Sequence, residues 1–526
     1  MQKQNHNMRT ERKSSIKNSA TRLILIALLV LIQTCWMIVL MSKLNTYSTA
    51  ITLIMTCIAV IIALKVFGTH VNSAQRMPWL IVITAVPFFG ICIYLLFGRS
   101  IVTKGMRRRF NGIEADILKN KLKQDEQIIK ELEQKDPGIA NQCRYISNTA
   151  KYPVYKNTDM EYYNTALESF EAQLWELSKA EKFIFMEYHA IEDAISFERL
   201  KKVLIDKAKN GVEVRIFYDD LGSIFFLNKE FIKRMRDEGI QCRVFNPLKV
   251  IVNMFMNNRD HRKITVIDGK VGFTGGYNLA DEYFNITHPY GYWKDTGVKL
   301  TGDAVKSLTA SFLTMWNAID HTDSQEAYDE YIDATDGTYN AASQECYVQP
   351  YSDNPLGHDR IGEDVYLNIL KNAKHYVYIT TPYLIITDEM ERELRLAVKR
   401  GVDVRIVTPG IPDKKMVYKI TRSYYEPLCS AGVRIYEYTP GFCHAKQWVA
   451  DDEVCVVGTI NMDFRSLYLH FENAVFTYNR ELAGKVKADM LNNFEISNEV
   501  TSDYAVDVIR PLKLGTCMLH MISPLL

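Results

Sequence analysis

Two histidines, two lysines and two aspartates recur in this chain at one spacing. His261-Arg262-Lys263 is followed by Asp268 and by Gly275-Gly276-Tyr277-Asn278; His444-Ala445-Lys446 is followed by Asp451 and by Gly458-Thr459-Ile460-Asn461. Side chains alternate along an extended strand, so a histidine and a lysine two positions apart face the same side and meet one ligand together. The chemistry that suits this set is displacement at a phosphodiester. Its negative charge repels nucleophiles, and fixed cations (Lys263, Lys446) with amide donors (Asn278, Asn461) offset that charge without a metal clamp. Two imidazoles, with an ordinary pKa of about 6.5, share the remaining work: a neutral one attacks phosphorus while a protonated one donates to the leaving alkoxide. A phosphohistidine formed this way keeps the bond energy until the second histidine deprotonates an incoming hydroxyl. One His-x-Lys alone arises by chance on any strand edge. Two copies with equal spacing to Asp, Gly and Asn do not.

The elements that carry these motifs are themselves repeated. Ala180–Tyr188 parallels Ala373–Tyr383, Gly211-Val-Glu-Val-Arg-Ile-Phe matches Gly401-Val-Asp-Val-Arg-Ile-Val, and Glu238–Pro247 matches Ala431–Pro440. Short apolar strands alternating with amphipathic helices predict α/β units, each a mixed sheet flanked by helices. Two tandem units over 139–340 and 341–526 form a pseudo-dimer, and a duplicated fold with one motif per copy predicts a shared cleft between the halves.

Three apolar stretches open the chain, at about 23–41, 46–67 and 78–97, each long enough for a bilayer helix. They predict a membrane-anchoring region over 1–110, with two to three crossings. Basic residues flank both ends of this region, which places both ends on the cytoplasmic face and conflicts with three full crossings. The third stretch, interrupted by Pro78, Pro87 and Gly90, is the one expected to dip rather than cross. The charge rule favours a cytoplasmic catalytic part in a multi-pass protein of the cell membrane. A rough helical stripe from Ile117 to Leu132 predicts a linker helix over 111–138.

Composition bounds the alternatives. With 63 basic and 62 acidic residues in 526, the chain has no excess of charge with which to coat nucleic acid. Its ten cysteines show no CxxC pair or zinc-type cluster, and no G-x4-G-K-[ST] loop marks a nucleotide site. We therefore expect no metal, no cofactor, no nucleotide and no nucleic-acid partner. Cys443, although next to His444, reads as a small semi-buried residue, and His189, His288 and His470 read as structural histidines.

The paired His-x-Lys-x4-Asp-x6-Gly-(Gly/Ser/Thr)-x-Asn signature resembles that of the phospholipase D superfamily. The apolar start ending in Pro87-x2-Gly90-x3-Tyr94-Leu95-Leu96-Phe97-Gly98, the run Trp293-Lys294-Asp295-Thr296-Gly297, the run Asn461-Met462-Asp463-x-Arg465-Ser466 and the terminal Ser523-Pro524-Leu525-Leu526 are similar to those of bacterial cardiolipin synthases. The resemblance implies membrane-tethered phosphatidyl transfer between two phosphatidylglycerol molecules, giving cardiolipin and glycerol. It assigns the nucleophile to His261 and the acid/base role to His444, although the near-symmetry of the motifs leaves the reverse open. It also implies an acid after each motif that orients the histidine of the opposite half, for which Glu282 and Glu472 are the candidates. Asp268 and Asp451, although part of the catalytic motifs, read as braces of their loops. Hydrolysis by a phospholipase D, transfer with another donor or acceptor lipid, a membrane-bound nuclease and an inactive scaffold are the competing readings.

Overall fold

The computed structural model describes residues 48–69, 72–97, 104–228, 230–247, 258–334, 339–340, 346–357, 359–507 and 512–523, with scattered positions between 28 and 42. The strands of the first half are β1 (Thr158–Tyr163), β2 (Phe183–Tyr188), β3 (Glu213–Asp219), β4 (Gln241–Phe245), β5 (Lys263–Ile267), β6 (Val271–Gly275), β7 (Tyr292–Lys294) and β8 (Gly297–Gly302). Those of the second are β9 (Tyr347–Asp353), β10 (Tyr376–Thr380), β11 (Asp403–Pro409), β12 (Arg434–Tyr438), β13 (Gly441–Cys443), β14 (Gln447–Ala450), β15 (Val454–Gly458), β16 (Glu472–Tyr478) and β17 (Ser497–Glu499).

Seven strands form one sheet in the order β1-β8-β6-β5-β2-β3-β4. The second sheet repeats that order as β9-β16-β15-β14-β10-β11-β12 and adds β17 at its edge. In each sheet the central strand pairs parallel on one side and antiparallel on the other: β2 with β3 and β5, β10 with β11 and β14. β2 and β10 are buried along their whole length, as expected of apolar strands covered on both faces. The repeated Gly211 and Gly401, at φ 88° and 93°, stand where the preceding helix ends and β3 or β11 begins. A side chain resists that backbone conformation, which explains why the duplication holds glycine there. The helix Val305–Ile319, buried on nearly every side, packs beneath the first sheet and against β9 of the second.

The single linker helix expected over 111–138 is instead part of a run of three: Lys104–Asn120, Glu126–Lys135 and Pro137–Thr149. Nor does this run merely link. Phe110, Ile113, Ile117 and Leu132 are buried in the main core, and the Phe110 ring lies 5.2 Å from Phe471. The apolar stripe was visible in the sequence, but its partner, the distant helix Val305–Ile319 against which Lys104–Asn120 packs, was not.

The apolar stretch expected at 46–67 is the helix Ser48–Phe67, whereas the stretch at 78–97 is broken into Ser73–Ala85 and Pro87–Phe97. Proline disfavours helix in the residue before it, and Val86 has left the helical region at φ −135° and ψ 76°. A Cβ on Gly90 would lie 2.3 Å from the Val82 carbonyl, so glycine lets the two pieces fold against each other. Among the described residues no helix is long and apolar enough to cross a membrane. The stretch at 23–41 lies largely outside the described residues.

Candidate active site

Each motif histidine stands just ahead of a sheet strand, and each is held there by the backbone of the opposite half. The His261 N–H donates to the Phe471 carbonyl (2.9 Å), and the Phe471 N–H donates to Arg259 (2.9 Å). The His444 N–H donates to the Lys294 carbonyl (2.7 Å), where β13 runs parallel to β7. The two motifs therefore meet where the halves meet.

The side chains cross in the same way. Nδ1 of His261 lies 2.9 Å from both carboxylate oxygens of Glu472, and Nδ1 of His444 lies 2.7 Å from Oδ2 of Asp295. Glu472 and Asp295 are fully buried. Each imidazole thus has Nδ1 bound to an acid of the other half, which leaves Nε2 for chemistry. The acid on His444 is Asp295 and not Glu282, which sits in the short turn Asp281–Phe284. Sheet register explains the correction. Gly275 pairs with Gly297 and Gly458 with Ala474, and counting two residues back from each partner reaches Asp295 and Glu472. The loop between motif and acid is longer in the first half, so counting along the sequence from Asn278 misses the equivalence. Asp295 lies inside the run already singled out as a family signature, and aligning the two copies by strand would have found it.

The same register explains the variable position of the motif. Thr459 donates its hydroxyl to Glu472 (2.5 Å), whereas a Cβ on Gly276 would lie 2.1 Å from Oδ1 of Asp295. The shorter Asp295 reaches His444 only because Gly276 leaves room for its carboxylate.

Lys263 and Lys446 are buried and turn back on their own histidines: Lys263 donates to the His261 carbonyl (2.6 Å), and Lys446 donates to the His444 carbonyl. Burial, helped by the repulsion between the two ammonium groups, pulls Lys263 down to about 7. Burial likewise brings Lys446 down to about 8. Burial and the adjacent Lys446 lower His444 to about 4, and burial with Lys263, Lys446 and His444 lowers His261 well below its ordinary value. Burial alone would raise Asp295, yet Lys446 and His444 hold it below the usual carboxylate value. Desolvated cations that repel one another in a closed site favour an anion among them.

Asp268 and Asp451 lie away from this junction. Asp268 accepts the backbone N–H groups of Glu181, Lys182 and Phe183, and Asp451 those of Lys374, His375 and Tyr376, all at 2.7–2.9 Å. They tie each hairpin to the start of the central strand. Asn278 is buried with its amide between the Ala190 N–H (3.2 Å) and the Tyr283 hydroxyl (2.7 Å), and Asn461 is buried beside Asp463.

Two histidines set aside on sequence grounds flank His261: the rings of His189 and His470 lie 5.0 Å and 5.5 Å from it. His470, His261 and Glu472 bring ligand atoms within 4.8 Å of one another, and among the described residues no other such group of three occurs. Glu472 in that trio is already engaged by His261 and Thr459. His288 is exposed, and burial pushes the Cys443 thiol up to about 12, far from a reactive thiolate.

The family model for the cardiolipin synthase PLD-like domain matches residues 174–316 and 366–493, and the model for the phospholipase D-nuclease N-terminal region matches 54–99. A cardiolipin synthase of Clostridium perfringens is 32% identical over 86% of this chain and 95% of its own length. One from a Geobacillus species is 32% identical over 90% of this chain and 94% of its own. An uncharacterised protein of Streptococcus mutans is 39% identical over 88% of this chain and 99% of its own. Among solved structures, the phosphatidylserine synthase of Haemophilus influenzae covers 69% of this chain and 93% of its own with a TM-score of 0.54, at 15% identity, a likeness of fold. The chain belongs to the cardiolipin synthase family of the phospholipase D superfamily.

Proposed function

We propose that this protein makes cardiolipin by transferring the phosphatidyl group of one phosphatidylglycerol to a second, releasing glycerol. The observation that carries the reading is the reciprocal pairing of His261 with Glu472 and His444 with Asp295. In the first half-reaction Nε2 of His261 attacks phosphorus, the bond to the glycerol oxygen breaks, and His444 protonates that oxygen. In the second, His444 removes the proton of an incoming lipid hydroxyl, whose oxygen displaces His261. Lys263 and Lys446 balance the charge on the phosphoryl oxygens throughout. One phosphodiester replaces another, so no nucleotide is consumed.

Substrate choice rests on where the site sits. The helix Ser48–Phe67 exposes Leu53, Ile54, Ile61, Leu64 and Phe67, a surface that water disfavours and a bilayer accepts. We read 1–110 as the membrane-anchoring region and the catalytic halves as lying at the bilayer surface, where phospholipid is concentrated. His444 is boxed by the rings of Trp293, Tyr283 and Phe442 at 5.2 Å, 5.4 Å and 5.7 Å, apolar walls that favour a lipid hydroxyl over water. Purified protein in phosphatidylglycerol vesicles tests the reading: cardiolipin and free glycerol in equal amounts are expected. Phosphatidic acid as the main product would replace the transferase with a phospholipase D.

A further inference from the structure

A phosphatidyl transfer between two anionic lipids brings two phosphates to one site. The acceptor's attacking hydroxyl is separated from its own phosphate by a three-carbon spacer, roughly 5–6 Å from oxygen to phosphorus. In the proposed mechanism Lys263 and Lys446 serve the reacting phosphate, and both are buried and turned on their own histidines. A further cation at the rim is therefore needed, or the acceptor approaches with its charge unbalanced.

Lys414 is in that position. It follows β11, in the turn that leads into the helix Lys415–Ser423, and the Ile411 N–H of this turn donates to the Gly441 carbonyl at the start of β13 (3.2 Å), the strand ending beside His444. Its Nζ lies 5.2 Å above the Tyr383 ring and 3.5 Å from the Tyr383 hydroxyl. From Tyr383 the aromatic path continues to Phe442 (6.3 Å) and on to His444 (5.7 Å). The charge of Lys414 also reaches His261 from across the halves. Its side chain is 63% exposed, and its one ion-pair partner among the described residues, Asp413 at 3.7 Å, is already taken by the Tyr383 hydroxyl (2.6 Å). So exposed an ion pair contributes little and yields readily to a phosphate.

We infer that Lys414, standing over Tyr383, forms a second phosphate subsite that holds the acceptor phospholipid by its own phosphodiester while its hydroxyl reaches the phosphorus on His261. The inference rests on the transferase reading above. Free glycerol, an uncharged acceptor, has no use for this subsite and isolates it.

The experiment uses the full chain in phosphatidylglycerol vesicles and follows two rates: exchange of labelled glycerol into phosphatidylglycerol, and formation of cardiolipin. For Lys414→Met, cardiolipin formation is expected to fall about tenfold, the value of one charge-assisted contact, with glycerol exchange within about twofold of wild type. Lys414→Arg is expected to restore cardiolipin formation. Equal loss of both rates, or no loss of either, overturns the subsite. If the wild-type chain neither exchanges glycerol nor forms cardiolipin, the transferase reading itself has failed, an outcome separate from the first two.

Discussion

The two halves share one backbone and surround their histidines differently. His261 lies among charges: Arg262 beside it contacts Glu187 (2.6 Å), Arg259 contacts Asp219 (3.1 Å), and two further imidazoles flank it. His444 has Ala445 where the first half has Arg262, and is boxed by aromatic rings. Two like frames thus surround one histidine with ion pairs and imidazoles and the other with aromatic rings. Buried charges joined to partners are costly to move, which suits the covalent role proposed for His261. Apolar walls suit the proton-exchanging role proposed for His444.

The most severe break in the comparison is loss of either histidine. His261→Ala and His444→Ala are each expected to lower turnover by about four orders of magnitude with the protein still folded, measured as cardiolipin per hour. Retained product from one of them would mean that the halves do not act together.

Next come the acids that cross between halves. Glu472→Gln and Asp295→Asn should each lower kcat by about 10²–10⁴-fold, as expected when a catalytic imidazole loses the partner that sets its tautomer. Glu282→Gln should stay within about threefold of wild type. A large loss at Glu282 with none at Asp295 would reverse the assignment.

The lysines give a smaller, graded effect that depends on pH. Tungstate, a dianion across the range, should protect the protein against thermal unfolding, and binding it favours both ammonium groups. With Lys263 at about 7 and Lys446 at about 8 in the empty site, binding takes up protons above those values. Affinity should therefore be greatest below about pH 7 and fall as pH rises, by up to about tenfold per unit for each proton taken up. The same depressed values mean that the folded empty site binds fewer protons than the unfolded chain between pH 7 and 10, so stability without ligand should rise over that range. Affinity that is flat with pH would contradict the role given to the lysines.

The smallest effect on turnover belongs to the braces. Asp268→Asn and Asp451→Asn should each destabilise the fold by about 2 kcal/mol, through lost charge-assisted bonds to three backbone N–H groups, with activity per folded molecule retained. Denaturant unfolding of the two variants measures how equal the halves remain.

Much of this was legible in the sequence because local rules carried it. Paired motifs gave the two histidines and lysines, and the repeated strands and glycines gave two mixed α/β units. Glu472 could be named because the family resemblance implies an acid after each motif, and Glu472 stands close behind its own. Asp295 could not, because its equivalence depends on strand pairing rather than on distance along the chain. Long-range contacts were silent for the same reason: nothing local to Phe110 announces that it packs on Phe471. The helix break at Val86 was readable from Pro87, but the fold-back at Gly90 needed the close approach of Val82.

The covalent adduct is the most direct measurement of two imidazoles acting on one phosphorus. The His444→Ala variant, given a phosphatidyl donor whose nitrophenolate leaving group needs no proton, should form a phosphatidyl-histidine at His261 that persists for lack of a base, found by mass spectrometry of the quenched protein. His261→Ala should form none. Absence of an adduct from His444→Ala, or an adduct on any other residue, would contradict the account.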